Sequence, residues 1–485
     1  MTITQQVANF IYKEHLLEPH QTVVAGVSGG PDSLCLLDCL HALGYPVVVG
    51  HLDHQLRPGS GDEAKYVEKI ADSYGVKAII GQENVRALCG GGKSLEEAAR
   101  LARYRFLVHV AKTHRISVIA TGHTADDQAE TVLMHFLRGA GPSGLRGMLP
   151  ATKMDTWRGI PDAIGMTLVR PLLNLTRDET QAYCNARGLS PVVDHSNLDT
   201  TFLRNRLRHE LLPELETYNP GIRNVLIRMG QVMAGEASLL EGLVAKAWDT
   251  IVNEVGDEAL TIEIAPFLSQ SISVQRALVR TVIDRMRPTL RDVGFETVER
   301  ALDFIEEGAR GKRLPLTGGL EMMRLQDEVL ISFPGAAIAF PHLPQLTSSK
   351  ERILEIPGKL QLAQGWSLFV DEKRLPQSDR DDFVYSETAM KASFDAMSIH
   401  GPLILRPPRQ GDRIRPLGMQ GRMKVADLFI NEQIPQPARA NWPVVACDAL
   451  ILWVVGLRMC HEARLKPESE VALVLHLRSS QEEVP

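Results

Sequence analysis

The apolar run Thr22-Val23-Val24-Ala25-Gly26-Val27 passes directly into Ser28-Gly29-Gly30-Pro31-Asp32-Ser33, and a stretch carrying Leu34, Leu36, Leu37 and Leu40 follows. The β-branched residues predict a strand, the glycine–proline cluster a tight turn, and the leucine spacing a helix. A strand that turns this abruptly into a helix constrains the fold strongly. It aims the first N–H groups of the helix, and the positive end of its dipole, at one spot suited to a phosphate. Glycine lets the backbone approach such a guest closely. The hydroxyls of Ser28 and Ser33 can add hydrogen bonds, and Asp32 can hold a magnesium ion bridging phosphate oxygens. No lysine lies near the turn, so it is not a G-x-x-x-x-G-K-[ST] loop.

Strand and helix patterns keep alternating after this turn. Candidate strands are 22–27, 46–51, 77–81 and 116–121, each followed by a longer helical pattern. That alternation predicts a parallel sheet with helices on both faces and a ligand beyond the carboxyl ends of its strands. Residues 151–165, mixed in charge and rich in Gly and Pro, read as a surface insertion. From about 200 to 310 the pattern is helical, and from about 313 short β-like runs lie between Pro- and Gly-rich stretches. The expected parts are 1–216, a helical domain at 217–312, a linker and β-rich segment at 313–400, and a small α+β domain at 401–485. Within the third part, the polar and acidic stretch 371–400 reads as a linker.

Composition narrows the class. With 44% hydrophobic and 23% charged residues the chain reads as a soluble globular protein. Its start resembles no signal peptide and no apolar run is long enough for a membrane span, so the expected setting is the cytoplasm. The six cysteines show no C-x-x-C spacing; Cys35 and Cys39, four apart among leucines, read as buried thiols. The net charge of −6 argues mildly against a nucleic-acid partner, although the placement of basic residues decides that question.

Three further segments carry chemistry. His51-Leu52-Asp53-His54 ends the second strand, at the same sheet edge as the turn. Its histidines can hydrogen-bond a nucleotide or cap the strand, and a zinc site is the weakest reading. Ser94-Leu95-Glu96-Glu97 is a capping box that opens a helix bearing Arg100 and Arg103 on one face, with Glu96 placed to pair with Arg100. That face is either solvated or neutralises a phosphate or a small carboxylate. Thr121-Gly122-His123-Thr124-Ala125-Asp126-Asp127-Gln128-Ala129-Glu130 follows the fourth strand. Acids in a first helical turn stabilise it, but Asp127 and Glu130 also face one way and can hold a cationic amine or magnesium.

SGGPDS resembles the pyrophosphate loop of the N-type ATP pyrophosphatases, which cut ATP between its α- and β-phosphates. Taken with HLDHQLR at 51–57, EEAARLARYRF at 96–106, TGHTADDQAET at 121–131, FLRGAGPSGLRGM at 136–148, RPLL at 170–173 and DHSNLDTTFLRNRLRHELLPEL at 194–215, the chain resembles the tRNA(Ile)-lysidine synthases. The stretch Gly411-Asp412-Arg413-Ile414-Arg415-Pro416-Leu417-Gly418 through Lys424 matches that family's C-terminal module. The resemblance implies an N-terminal domain like the adenine-nucleotide α-hydrolases. It also implies ATP and Mg2+, free L-lysine, and a tRNA(Ile) with a CAU anticodon. ATP would adenylate the C2 oxygen of the wobble cytidine, and the lysine amine would then displace AMP. Ser28, Gly29, Gly30, Pro31, Asp32 and Ser33 would hold pyrophosphate, with His51 and His54 beside the nucleotide and Asp32 at the metal. Arg103, Asp127 and Glu130 would line the reaction centre with Asp32, Asp127 being first choice for the amine or metal. Asp53 and Thr124 depart from the Asn and His common at these places.

Two basic clusters fit a tRNA backbone. Arg406, Arg409, Arg413, Arg415, Arg422 and Lys424 against Asp412 give residues 406–424 a local charge of +5. Arg204, Arg206 and Arg208 form the other, followed by Arg223 and Arg228. A homodimer is compatible with the sequence. A tRNA thiolase of the same superfamily is the rival reading, and the lack of C-x-x-C counts against its iron–sulfur cluster. An amidotransferase would need a glutaminase domain, and a non-catalytic RNA-binding protein would not need an intact loop.

Overall fold

The structure is a computed structural model. It describes residues 1–55, 60–88, 94–155, 157, 159–192, 199–256, 258–288, 290, 293–334, 336, 340, 342–375, 390–448 and 450–479. Cys89 and parts of three stretches singled out in the sequence, 56–57, 194–198 and 376–389, lie outside these residues. The chain divides into two compact units, Met1–Leu243 and Val244–Pro485.

The first unit is built on a six-stranded sheet. Its strands are β1 (Val23–Gly26), β2 (Val47–Asp53), β3 (Lys77–Gln82), β4 (Val118–Thr121), β5 (Ala151–Lys153) and β6 (Thr167–Val169), in the order β3-β2-β1-β4-β6-β5. β1 pairs in parallel with β2 on one side (Val24 with Val48) and β4 on the other (Val24 with Ile119). The chain order therefore reverses direction across β1 and β4, which is where open α/β sheets bind ligands.

Helices cover both faces, as the buried strands require. They are α1 (Ile3–Lys13), α2 (Pro31–Ala42), α3 (Ser60–Ser73), α4 (Leu95–Thr113), α5 (Ala125–Leu137), α6 (Pro142–Leu145) and α7 (Arg177–Ala186). Successive residues of β1 point to opposite faces. Val23 and Ala25 join Val7, Leu37, Leu40 and Cys184 in one core, while Val24 packs with Tyr104, Leu107, Ile119 and Leu168 in the other. Then come α8 (Leu203–Arg206), a π-helical turn at Leu207–Leu211, α9 (Leu212–Tyr218) and α10 (Ile222–Ile251).

The second unit holds a five-stranded sheet with Ala259–Glu263 paired to Glu328–Ser332, and helices Ile272–Met286 and Phe295–Glu307. Its C-terminal part has a five-stranded and a four-stranded sheet, whose strands contribute to one core around Trp442, Trp453 and Phe394. A two-stranded ribbon pairs Arg413 with Lys424.

Three expectations change. Residues 151–165 supply β5, an antiparallel edge strand; three residues are too few to show a period in sequence. The helical stretch 200–310 contains a hairpin, Val252–Gly256 with Ala259–Glu263, whose alternation is hidden by the adjoining thirty-residue helix. The stretch 371–400 is not wholly a linker, because strands Trp366–Arg374 and Lys391–Asp395 enter it from both sides and pair with Val471–Ser479.

Candidate active site

The turn after β1 forms as the sequence predicts. Gly29 has φ +87°, a conformation closed to most side chains, and Gly30 caps α2 with Pro31 in its first turn. Ser33 Oγ ties the loop together: it accepts from Ser28 N (3.1 Å), lies 3.3 Å from Ser28 Oγ and donates to the Gly30 carbonyl (2.9 Å). Gly122, after β4, sits so close that a Cβ there would lie 2.7 Å from the Asp32 carbonyl oxygen. That contact seats the start of α2 against the turn that leads into α5.

Asp32 is a partly buried carboxylate, its side chain 24% exposed. Burial pushes it up to about 6; the hydrogen bond from the Thr180 hydroxyl opposes this, and nearby Asp127 adds to it. Arg177 Nε stands 4.0 Å away.

Asp127 and Glu130 lie side by side on α5, held in a network of arginines. Arg177 reaches Asp127 Oδ1 (2.5 Å) and Glu130 Oε1 (2.7 Å). Arg204 donates to Glu130 Oε2 (2.9 Å) and Asp127 Oδ1 (3.1 Å), and Arg208 to both oxygens of Glu130 (2.7 and 3.2 Å). Asp127 Oδ2 accepts from Thr124 N (2.9 Å) and Thr124 Oγ1 (3.0 Å). Burial alone would raise both carboxyls; Arg177 and Arg204 outweigh it at Asp127, and Arg208 with Arg177 at Glu130, so both lie below the usual range. Asp126 is drawn in as well, accepting from Arg177 N (2.9 Å) and Arg223 Nη1 (2.9 Å).

The histidines and Arg103 belong to the same unit. His51 Nδ1 is 2.8 Å from the Val27 carbonyl, which links the end of β2 to the phosphate turn. His54 Nδ1 and Arg103 Nε are buried without hydrogen-bond partners among the described residues. Burial, with help from Arg103 and His51, pushes His54 down to about 4. His123 bonds Thr121 Oγ1 (2.8 Å), and burial holds it well below its ordinary value. The capping bond from Glu97 N to Ser94 Oγ is present (3.2 Å), but no Glu96–Arg100 ion pair forms among the described residues.

Among the described residues no three His, Cys, Asp or Glu side chains converge as a metal cage. Asp127 Oδ1 and both oxygens of Glu130 are taken by arginines, and Asp127 Oδ2 by Thr124. Asp32 fits magnesium as one protein ligand to an ion that brings phosphate oxygens with it, since a half-buried carboxylate raised to about 6 lacks a full counter-charge.

The expected tRNA contacts separate into two kinds. Arg204 and Arg208 face the carboxylates of α5, and Arg406 is buried against Asp412 (2.8 and 3.0 Å), holding its loop. Arg206, Arg413 and Lys424 are exposed with no side-chain partner among the described residues. Arg415 donates to the Met419 carbonyl (3.0 Å) and the largely exposed Arg422 reaches Glu462 at 3.2 Å. Arg413 and Lys424 oppose each other across the ribbon; like charges so placed repel, which leaves them ready for an anion.

Sequence reasoning missed Arg177 and Thr180. A signal was present: Thr176-Arg177-Asp178-Glu179 opens α7 with a capping box, yet puts an arginine at the positive end of the helix dipole. Such a cation needs an anion from elsewhere, here Asp127 and Glu130.

A domain family described as "PP-loop domain" matches residues 1–215, and one described as "TilS substrate C-terminal domain" matches residues 403–476. The tRNA(Ile)-lysidine synthase of Geobacter sulfurreducens is 34% identical over 98% of this chain and 97% of its own length. That of Dehalococcoides mccartyi is 31% identical over 98% and 99%. A crystal structure of a TilS C-terminal domain is 26% identical with a TM-score of 0.24, covering 27% of this chain and 97% of its own. The first unit's PP-loop domain makes ATP a substrate. With that match and relatives aligned from end to end, the chain belongs to the tRNA(Ile)-lysidine synthase family.

Proposed function

We propose that this enzyme joins lysine to C2 of the wobble cytidine in the CAU anticodon of tRNA(Ile). ATP first adenylates the C2 oxygen with release of pyrophosphate. The lysine amine then attacks C2, loses a proton, and AMP departs with the oxygen. The observation that carries this reading is the end-to-end likeness to synthases of that name, in a chain whose phosphate turn sits at the sheet edge beside an acidic helix.

The residues divide the work. The amides from Gly29 to Ser33 bind the pyrophosphate portion of ATP, and the Ser33 bonds keep that loop preformed. Bound magnesium would neutralise phosphate charge, with Asp32 as its protein ligand. Asp127 and Glu130 would meet the lysine ammonium by exchanging an arginine bond for it, since Arg177, Arg204 and Arg208 already neutralise them, and Arg103 lines the same centre. His51 fixes the loop from the end of β2. Arg206, Arg413, Arg415, Arg422 and Lys424 contact tRNA phosphates; Arg204, Arg208 and Arg406 support this from within. The division at 216, 312 and 400, a cytoplasmic setting and a homodimer belong to the same reading. Among the described residues no helix is long and apolar enough to cross a membrane.

The test is incubation with tRNA(Ile), ATP and labelled lysine. Label in the tRNA with AMP in equal amount is expected. Sulfur transfer from a thiol donor instead of lysine would favour the thiolase reading, and loss of both would overturn catalysis.

A further inference from the structure

Behind the phosphate turn α7 packs on α2 through a set of polar contacts. The Thr180 hydroxyl, fully buried, donates to Asp32 in the first turn of α2. Cys184 Sγ donates to the Pro31 carbonyl (3.3 Å). Further along α2, the carboxylate of Asp38 is 1% exposed. Tyr74, just after α3, donates to its Oδ1 (2.7 Å) and Tyr183 on α7 to its Oδ2 (2.5 Å). Arg187, which caps the end of α7, adds a fork from Nε (2.9 Å) and Nη2 (3.2 Å). Thr180, Cys184 and Arg187, spaced four and three apart, share one face of the helix.

Packing alone does not ask for a charge at residue 38. Its neighbours Leu36, Leu37, Cys39 and Leu40 are fully buried, and an apolar side chain among them would avoid the cost of desolvating a carboxylate. Burial raises the Asp38 carboxyl, but the bonds from Arg187, Tyr183 and Tyr74 outweigh it and hold it below the usual range. What those bonds supply is direction. Apolar faces can slide past one another, whereas a guanidinium fork on a carboxylate fixes one register. Register matters at Thr180, because a slip of one residue turns a helix by about 100° and carries the hydroxyl away from Asp32. Arg177 ties the first turn of α7 to Asp127 and Glu130, Asp38 holds its far end, and Thr180 lies between the two anchors.

We propose that Asp38 is a positioning residue: gripped by Tyr183 and Arg187, it seats α7 so that the Thr180 hydroxyl orients the Asp32 carboxylate. This rests on the role given to Asp32 in the function proposed above. Asp38 itself bonds Tyr74, Tyr183 and Arg187 and acts on the site only through Thr180. Outer partners of this kind fix the direction of a carboxylate that must meet a metal, and their loss is felt in rate. Tyr74 ties the same carboxylate to the end of α3, so the grip is anchored from a second side.

The experiment follows single-turnover pyrophosphate release by the full-length enzyme with tRNA and ATP, at alkaline pH where Asp32 is ionised in every variant. Thr180→Val, Tyr183→Phe and Arg187→Gln are each expected to slow the maximal rate by about tenfold, with the ATP concentration for half-maximal rate changed by less than about twofold. Arg187→Lys keeps a donor for Asp38 and should be faster than Arg187→Gln. Thr180→Val combined with Arg187→Gln should be no slower than Thr180→Val alone, because both act through one hydroxyl. Val7→Ala, a cavity in the core that α2 shares, is the control: it should lower the melting temperature and leave the rate unchanged. Tyr183 and Arg187 variants that lose melting temperature but keep the wild-type rate overturn the proposal. So do an unslowed Thr180→Val, effects that multiply in the double variant, and a raised ATP requirement at an unchanged maximal rate. Tyr183→Phe keeps the ring, so the rate stays measurable if Arg187→Gln fails to fold. Release by the wild type with unslowed variants sinks this inference alone; no release by the wild type sinks the proposed function with it.

Discussion

The Thr180 hydroxyl donates to the carboxylate of Asp32, from a helix that begins nearly 150 residues later in the chain. The bond favours the ionised carboxylate, while burial and Asp127 oppose ionisation. Thr180→Val removes it and should raise the Asp32 value above about 6. In the proposed role of Asp32 at magnesium, adenylation needs the charged form, so the acid limb of its pH–rate profile should move to higher pH. An unmoved limb in single-turnover pyrophosphate release would show that Asp32 does not govern it.

Asp32 should also cost stability. Its folded value of about 6 exceeds the ordinary 3.8, so the native state keeps a proton that the unfolded chain releases between those values. The favourable contribution is complete below 3.8 and is lost as pH rises through about 6. At pH 7, Asp32→Asn should therefore be inactive yet more stable by about 1–3 kcal/mol. Urea unfolding at pH 7 and pH 4 checks the sign: the gain should shrink at the lower pH.

Glu130 is fully buried and receives bonds from Arg177, Arg204 and Arg208. Glu130→Gln leaves these cations short of a counter-charge, and a loss of about 2–4 kcal/mol is expected, since the arginines keep some solvent contact. An unchanged denaturation midpoint would mean that they simply turn to water.

Arg413 and Lys424 should bind phosphates as a pair. Replacing both with Gln is expected to weaken tRNA binding and reduce the slope of log K against log salt by about 2. Arg406→Gln should act differently, lowering thermal stability through the loss of its Asp412 partner. If both sets of variants gave the same salt slope as the wild type, the ribbon would not touch tRNA.

The phosphate turn was legible because its residues are contiguous and each choice agrees locally: β-branched strand, glycines, proline, leucines. The acidic helix was legible for the same reason. Its partners were not, because Arg177, Arg204 and Arg208 reach Asp127 and Glu130 from tens of residues away, and ion pairing leaves no period in sequence. Arg204 and Arg208 stood out only as positive charge, which fits a nucleic acid and a buried carboxylate equally well. Ala151–Lys153 stayed hidden because an edge strand of three residues needs its neighbour to define it.

Gly122 joins these parts in one further way. Its backbone rests on that of Asp32 with no side chain between, so the phosphate turn and the acidic helix share a gauge set by peptide geometry. Side-chain replacements at either end can retune charge without changing that spacing, whereas any side chain at Gly122 itself would force the two backbones apart. A variant enzyme selected for a shorter or longer amine would thus have to alter the nucleophile's own anchoring, leaving the separation of the two ends untouched.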